Sequence, residues 1–63
     1  MAKLIDCDRT NLSEGDWYLW FDELQQTWHA GQYFIHEGES AIILDGGTIT
    51  DIGWVARKGY KII

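Results

Sequence analysis

Apolar positions along the chain fall into two regimes. Between residues 14 and 30, Trp17, Trp20, Phe21, Leu24 and Trp28 recur at intervals of 3, 1, 3 and 4, the spacing of one face of a 3.6-residue helix. At about 100° per residue the five fall within about 100° of one another, wide enough for a core-facing stripe. The flanks agree with that reading. Ser13 followed by Asp16 makes a weak capping box, and Gly31 stands where a helix places a left-handed C′ residue. The pattern predicts an amphipathic helix over residues 14–30.

After Gly31 the period shortens to two. Strands are predicted at 2–7, 32–36, 40–45, 48–56 and 60–63, with turns at 8–12, at Glu37-Gly38-Glu39 and at Arg57-Lys58-Gly59. Asp45-Gly46-Gly47 is the strongest hairpin signal. A two-residue loop there sets Leu44 opposite Ile49, and a three-residue loop sets Ile43 there instead. Ile49 and Ile52 lie out of phase, which a bulge near Asp51 or Gly53 would reconcile. The order is β-α-β-β-β-β, an α+β domain with one helix packed on a small, bent, mostly antiparallel sheet. A rival reading makes 17–21 a strand, with Trp17, Leu19 and Phe21 alternating, and yields an all-β SH3-like barrel, as strand-favouring aromatics allow. Leu24, Trp28 and the Gln25-Gln26 pair fit the helix better.

Sixty-three residues make one domain, 1–63. A chain this short buries only about 60% of its unfolded surface. Four Trp, three Tyr and two Phe compensate, because each large ring can bury roughly 150–250 Å². Ten acids against five bases leave a net charge of −5, which repels phosphate backbones and argues against direct nucleic-acid binding. The same charge suits a partner with a basic surface. No apolar run is long enough to span a bilayer, and no signal-peptide pattern is present. Cys7 is the sole cysteine, so no disulfide forms within the chain. A reducing cytoplasm is the expected setting.

Candidate chemistry is sparse. Cys7, His29 and His36, with Asp6 or Asp8, are metal-ligand types but lack paired short spacings; no metal or cofactor is expected. Cys7 reads better as a small buried hydrophobe, and His29 as a charge near the helix C-terminus. Cys7 with either histidine supplies a nucleophile and a base, but so small a chain has no room for a deep cleft. An enzyme is not expected. Gly46-Gly47 and Gly53 match no phosphate-binding loop.

The outer face of the predicted helix is more informative. Leu19 lies about 200° around from Trp17 at helical spacing, beside Tyr18 and ringed by Asp22, Glu23 and Gln26. This resembles an apolar anchor with a polar rim. Trp54 is a second candidate anchor. Tyr60, Lys61, Ile62 and Ile63 form a short terminal strand; at a sheet edge it could pair with its own copy in a homodimer. The leading expectation is a small acidic stand-alone protein-binding module. Inhibitors from phages or other mobile elements, which block a host enzyme or defence complex by occupying its surface, are one population of such chains. The alternative is a homo-oligomeric protein that binds a small molecule or nucleotide. Its aromatic pocket would lie between subunits, with Arg57 and Lys58 toward phosphates. A third reading is a structural subunit of a larger assembly.

Overall fold

The computed structural model describes residues 2–63. Its elements are β1 (Leu4–Asp8), β2 (Trp17–Asp22), β3 (Thr27–His36), β4 (Glu39–Leu44), β5 (Ile49–Asp51) and β6 (Lys58–Ile62), with short 3₁₀ turns at Arg9–Asn11, Asp45–Gly47 and Ile52–Trp54. All strands join one six-stranded antiparallel sheet in the order β1-β6-β2-β3-β4-β5. The chain meanders from β2 to β5, and β6 then returns to lie between β1 and β2.

The predicted helix over 14–30 is not formed, so the α+β class is corrected to all-β. These residues make the β2–β3 hairpin, with Trp17 opposite Gln32 and Asp22 opposite Thr27. The strand reading of 17–21 is the one observed. Tyr18 and Trp20 point into the core while Trp17, Leu19 and Phe21 take the opposite face, a period of two. The helical intervals were a coincidence of two faces and a turn. Trp20 is core, Trp17, Phe21 and Trp28 are outward, and Leu24 sits in the turn, 98% exposed. The turn's chemistry decides the matter. Asp22 Oδ1 accepts from the backbone N–H groups of Leu24 and Gln25 at 3.0 and 3.2 Å. Gln26 takes a left-handed φ of 54°, so Gln25-Gln26 mark a reversal, the kind of site where Asp and short polar groups compete with helix.

Both flanking helix signals have other causes. Ser13 N–H does donate to Asp16 Oδ2 (2.8 Å), and Asp16 N–H donates back to Ser13 O (2.9 Å), but together they close a turn around Gly15 at φ 97°. Gly31 is a buried residue of β3; a Cβ there would collide with the Ile42 side chain and lie 2.7 Å from Ile43 O. It is glycine because β4 passes so close.

At the 45–47 loop the three-residue register holds, with Ile43 opposite Ile49. No bulge carries β5 onward. The strand ends at Asp51, and a 3₁₀ turn puts Ile52 and Val55, three apart, on the core side. Lys58 and Gly59 belong to β6 rather than to a turn. The terminal strand is not an edge, since Leu4 to Asp8 pair along one side of it and Trp17 to Leu19 along the other. Tyr60–Ile63 therefore offers no free sheet edge; the edges are β1 and β5.

The core is Tyr18, Trp20, Tyr33, Ile42 and Val55, packed by Cys7, Leu12, Leu44, Ile52 and Ala56. Tyr18 and Trp20 stack with centroids 5.6 Å apart, and buried Tyr18 donates its hydroxyl to Ala56 O at 2.9 Å.

Asp8 fastens the end of β1. Its carboxylate accepts from Thr10 N–H (3.0 Å) and Thr10 Oγ1 (2.9 Å) and lies 3.3 Å from Arg57 Nε and 3.6 Å from Lys58 Nζ. The Thr10 bonds, helped by the two cations, hold its pKa at about 2 against an ordinary 3.8. The folded form therefore binds its proton later than the unfolded form. The stabilisation is complete above the unfolded value and fades as pH falls toward about 2. Asp8→Asn is expected to flatten the acid limb of a stability–pH curve over that window, measured by urea denaturation. An unchanged limb would contradict this assignment.

Candidate protein-binding site

The functional candidates converge at the end of the molecule where the β2–β3 turn faces the Ile52–Trp54 segment. Because Ile52 and Val55 are drawn into the core, Trp54 between them is turned outward and is 85% exposed. Its backbone is nevertheless held firmly. Arg9 Nη1 donates to the carbonyls of Ile52 (3.2 Å), Gly53 (3.3 Å) and Val55 (2.7 Å). Asp51 Oδ1 accepts from Gly53 N–H at 2.8 Å, and the Tyr18 hydroxyl holds the next carbonyl, that of Ala56. A large apolar ring is thus presented to solvent on a fixed platform.

Across from it stands Leu24 at the tip of the hairpin. Trp54 and Leu24 line one hollow of about 260 Å³ together with Trp20, Phe21, Asp22, Glu23, Val55 and Ala56. Phe21, Glu23 and Ala56 are also walls of a second hollow, about 400 Å³, reaching Trp28, Tyr60, Asp6, Arg57, Lys58 and Gly59. The two hollows adjoin at these shared walls, with Trp54 and Leu24 lining one and Trp28 the other, and together they are called the groove. It opens where β2 and β6, paired from Trp17 to Leu19, part company. Phe21 meets Trp28 edge-on with centroids 5.3 Å apart, and Trp28 lies 6.3 Å from Tyr60.

Charge in the groove is mixed. Asp6, Asp22 and Glu23 are wall residues. Arg57 and Lys58 are there too, but both lean on Asp8. Asp22 is held below its ordinary pKa chiefly by the Gln25 N–H, with His29 and the Leu24 N–H adding to it. Its Oδ2 is 3.2 Å from His29 Nε2, and His29 in turn packs against Trp20 at 5.6 Å. His29 is therefore a mid-strand residue positioned by a carboxylate and a ring, not a charge at a helix end.

The sequence candidates divide accordingly. Asp22, Glu23 and Trp54 are brought together. Tyr18 is fully buried and cannot contact a partner; its apolar ring belongs to the core because strand alternation, not helical spacing, sets its direction. Leu19 is on the outer sheet face, paired with Ala30 and Tyr60. Gln26 is spent inside the turn, donating from Nε2 to Glu23 O at 2.7 Å. Leu24, Trp28 and Phe21, assigned to the core by the helical pattern, are the site residues that pattern missed. A Leu between Glu23 and Gln25 was the available signal, since a polar turn has little reason to carry one.

Cys7 on β1 and His29 on β3 are separated by β6 and β2. Among the described residues no three of His, Cys, Asp and Glu gather as a metal site, and no helix is long and apolar enough to cross a membrane. The groove thus offers rings, an aliphatic tip and a carboxylate rim, the chemistry of recognition. Compared with known proteins, the chain matches no family model, no curated protein and no solved structure.

Proposed function

We propose that the protein is a non-enzymatic protein-binding module that acts by occupying a surface of a larger partner. The observation carrying this reading is Trp54, a tryptophan 85% exposed on a segment whose carbonyls at 52, 53, 55 and 56 are all bonded from within. Exposed apolar rings are costly in water, and rigid aromatic anchors carry much of the energy of protein interfaces because little freedom is lost on binding. Leu24 supplies a second projection, and the groove between them accepts one from the partner.

The partner's complementary chemistry is an apolar surface with a basic rim. Asp6, Asp22 and Glu23 border the groove, and the whole chain carries −5. Such a module works in a reducing cytoplasm, with Cys7 as a free thiol. Blocking an enzyme or a defence complex is the form its action takes when the covered surface is a functional one. The nucleotide alternative gains one favourable observation, the sharing of a hollow by Trp28, Tyr60, Arg57 and Lys58. Asp6 and Glu23 line that same hollow, however, and Asp8 already holds both cations, an arrangement that repels phosphate.

The test is capture from native lysate on immobilised protein at low and high salt, with Glu23→Lys as a parallel bait. Glu23 is exposed, and among the described residues its side chain makes no hydrogen bond or ion pair. One stoichiometric partner is expected, lost at high salt and retained less by the variant. Equal, salt-insensitive capture on both baits would contradict an acid-guided interface.

A further inference from the structure

The outer face of the sheet does not look like a surface built for water. An antiparallel sheet with one solvated face normally alternates apolar-in with polar-out. β2 reads WYLWFD, so its outward positions are Trp17, Leu19 and Phe21. The neighbouring strands continue the pattern in register. Leu4, Ile62 and Trp17 line up across β1, β6 and β2, and Tyr60, Leu19 and Ala30 line up beside them across β6, β2 and β3. Leu4 and Trp17 are 56% and 46% exposed. The segments that cover the core, with Leu12, Ile52, Val55 and Ala56, lie on the other side.

Charge indicates what covers this face. No ionisable side chain other than the Tyr60 phenol interrupts either line, and Asp6, opposite Tyr60, only closes one end of the second. Nearly all of the −5 of the chain is carried elsewhere, with Asp6 at the margin of the face. A basic partner, suited to the rest of the molecule, finds no carboxylate around Trp17 and Leu19, whereas a second copy centred there meets no like charge. Size gives the second argument. A stable interface buries about 800 Å² per partner, and a body measuring 30 × 27 × 21 Å offers an area of that order only on a broad side. An edge contact falls well short.

We propose that two copies of this chain pack outer sheet face against outer sheet face about a two-fold axis, with Trp17 and Leu19 at the centre. The contact is isologous, the same patch on each copy, and adds a second layer to a single-sheet domain. It includes Tyr60 and borders Phe21, which also line the hollow at Trp28, but it does not involve Trp54 or Leu24.

The experiment is sedimentation velocity on the full chain over about a hundredfold dilution, with near-UV circular dichroism to confirm folding. Wild type is expected at twice the 7.3 kDa chain mass. Leu19→Glu and Trp17→Arg, outward positions that leave the core untouched, are expected at the single-chain mass, with self-association weakened by at least about a hundredfold. Trp54→Ala is expected to remain dimeric. The proposal is overturned by a wild-type monomer at every concentration, by dimers in both face variants, or by dissociation of Trp54→Ala. Because the groove variants are read separately, failure here leaves the binding-module reading standing, and the reverse holds too.

Discussion

Gly59→Ala is expected to remove about a third or more of the stability of the fold. Gly59 lies in β6, the strand that ties β1 to β2. A Cβ at this position would run into the carbonyl oxygen of Leu19 and lie 2.8 Å from both Cζ and the hydroxyl of Tyr18. Neither neighbour can retreat cheaply. The Leu19 carbonyl is backbone at the last β2–β6 pair, and the Tyr18 ring is fully buried with its hydroxyl bonded to Ala56 O. Forcing a methyl group into such a contact costs about 3 kcal/mol or more. A chain of this length has roughly 3–9 kcal/mol in total, so one methyl group removes a third or more of it. Urea denaturation followed by circular dichroism measures the loss, and an unchanged midpoint would contradict the β6–β2 packing described.

Removing Trp54 and Leu24 together is expected to do the opposite, sparing the fold and abolishing recognition. At 85% and 98% exposure neither side chain contributes appreciably to the core, and surface substitutions of this kind shift stability by about 0.5 kcal/mol or less. Trp54 does not hold its own platform; Arg9 and Asp51 do, through backbone groups that alanine retains. Anchor residues of protein interfaces are each worth 2 kcal/mol or more, so Trp54→Ala with Leu24→Ala should weaken a captured partner by about a thousandfold. Isothermal titration against that partner reads the affinity, and a thermal melt of the variant alone reads the fold. Wild-type affinity in a folded double variant would move the interface off the groove.

These two outcomes separate what was legible in the sequence from what was not. The strands after Gly31 and the Asp45-Gly46-Gly47 reversal could be read because period and turn chemistry agree there. Residues 14–30 could not, because an outward strand face, an inward one and a turn residue together mimic helical spacing. The local bonds of Asp22 to Leu24 and Gln25 and the close passage of β4 over Gly31 distinguish the two; the first is a matter of side-chain geometry that spacing does not record, and the second depends on a tertiary neighbour. The same mimicry reaches the site: helical spacing turns Tyr18 outward and Leu24 and Trp28 inward, whereas Tyr18 is core and Leu24 and Trp28 are exposed. Trp54 was recognised as a candidate, but its direction depends on a 3₁₀ turn that spacing alone renders as a bulged strand. That β6 returns between β1 and β2 is a matter of topology, with no local signature.

The four tryptophans now report on three different regions. Trp20 is buried in the core, Trp17 lies on the outer sheet face and lines neither hollow, and Trp28 and Trp54 each line one hollow of the groove. Following the ¹⁵N-labelled indole N–H signals while the captured partner is added is therefore the most direct measurement. The groove reading predicts that the Trp28 and Trp54 signals move while Trp20 stays in place. Movement of Trp17 with Trp28 and Trp54 unchanged would contradict it.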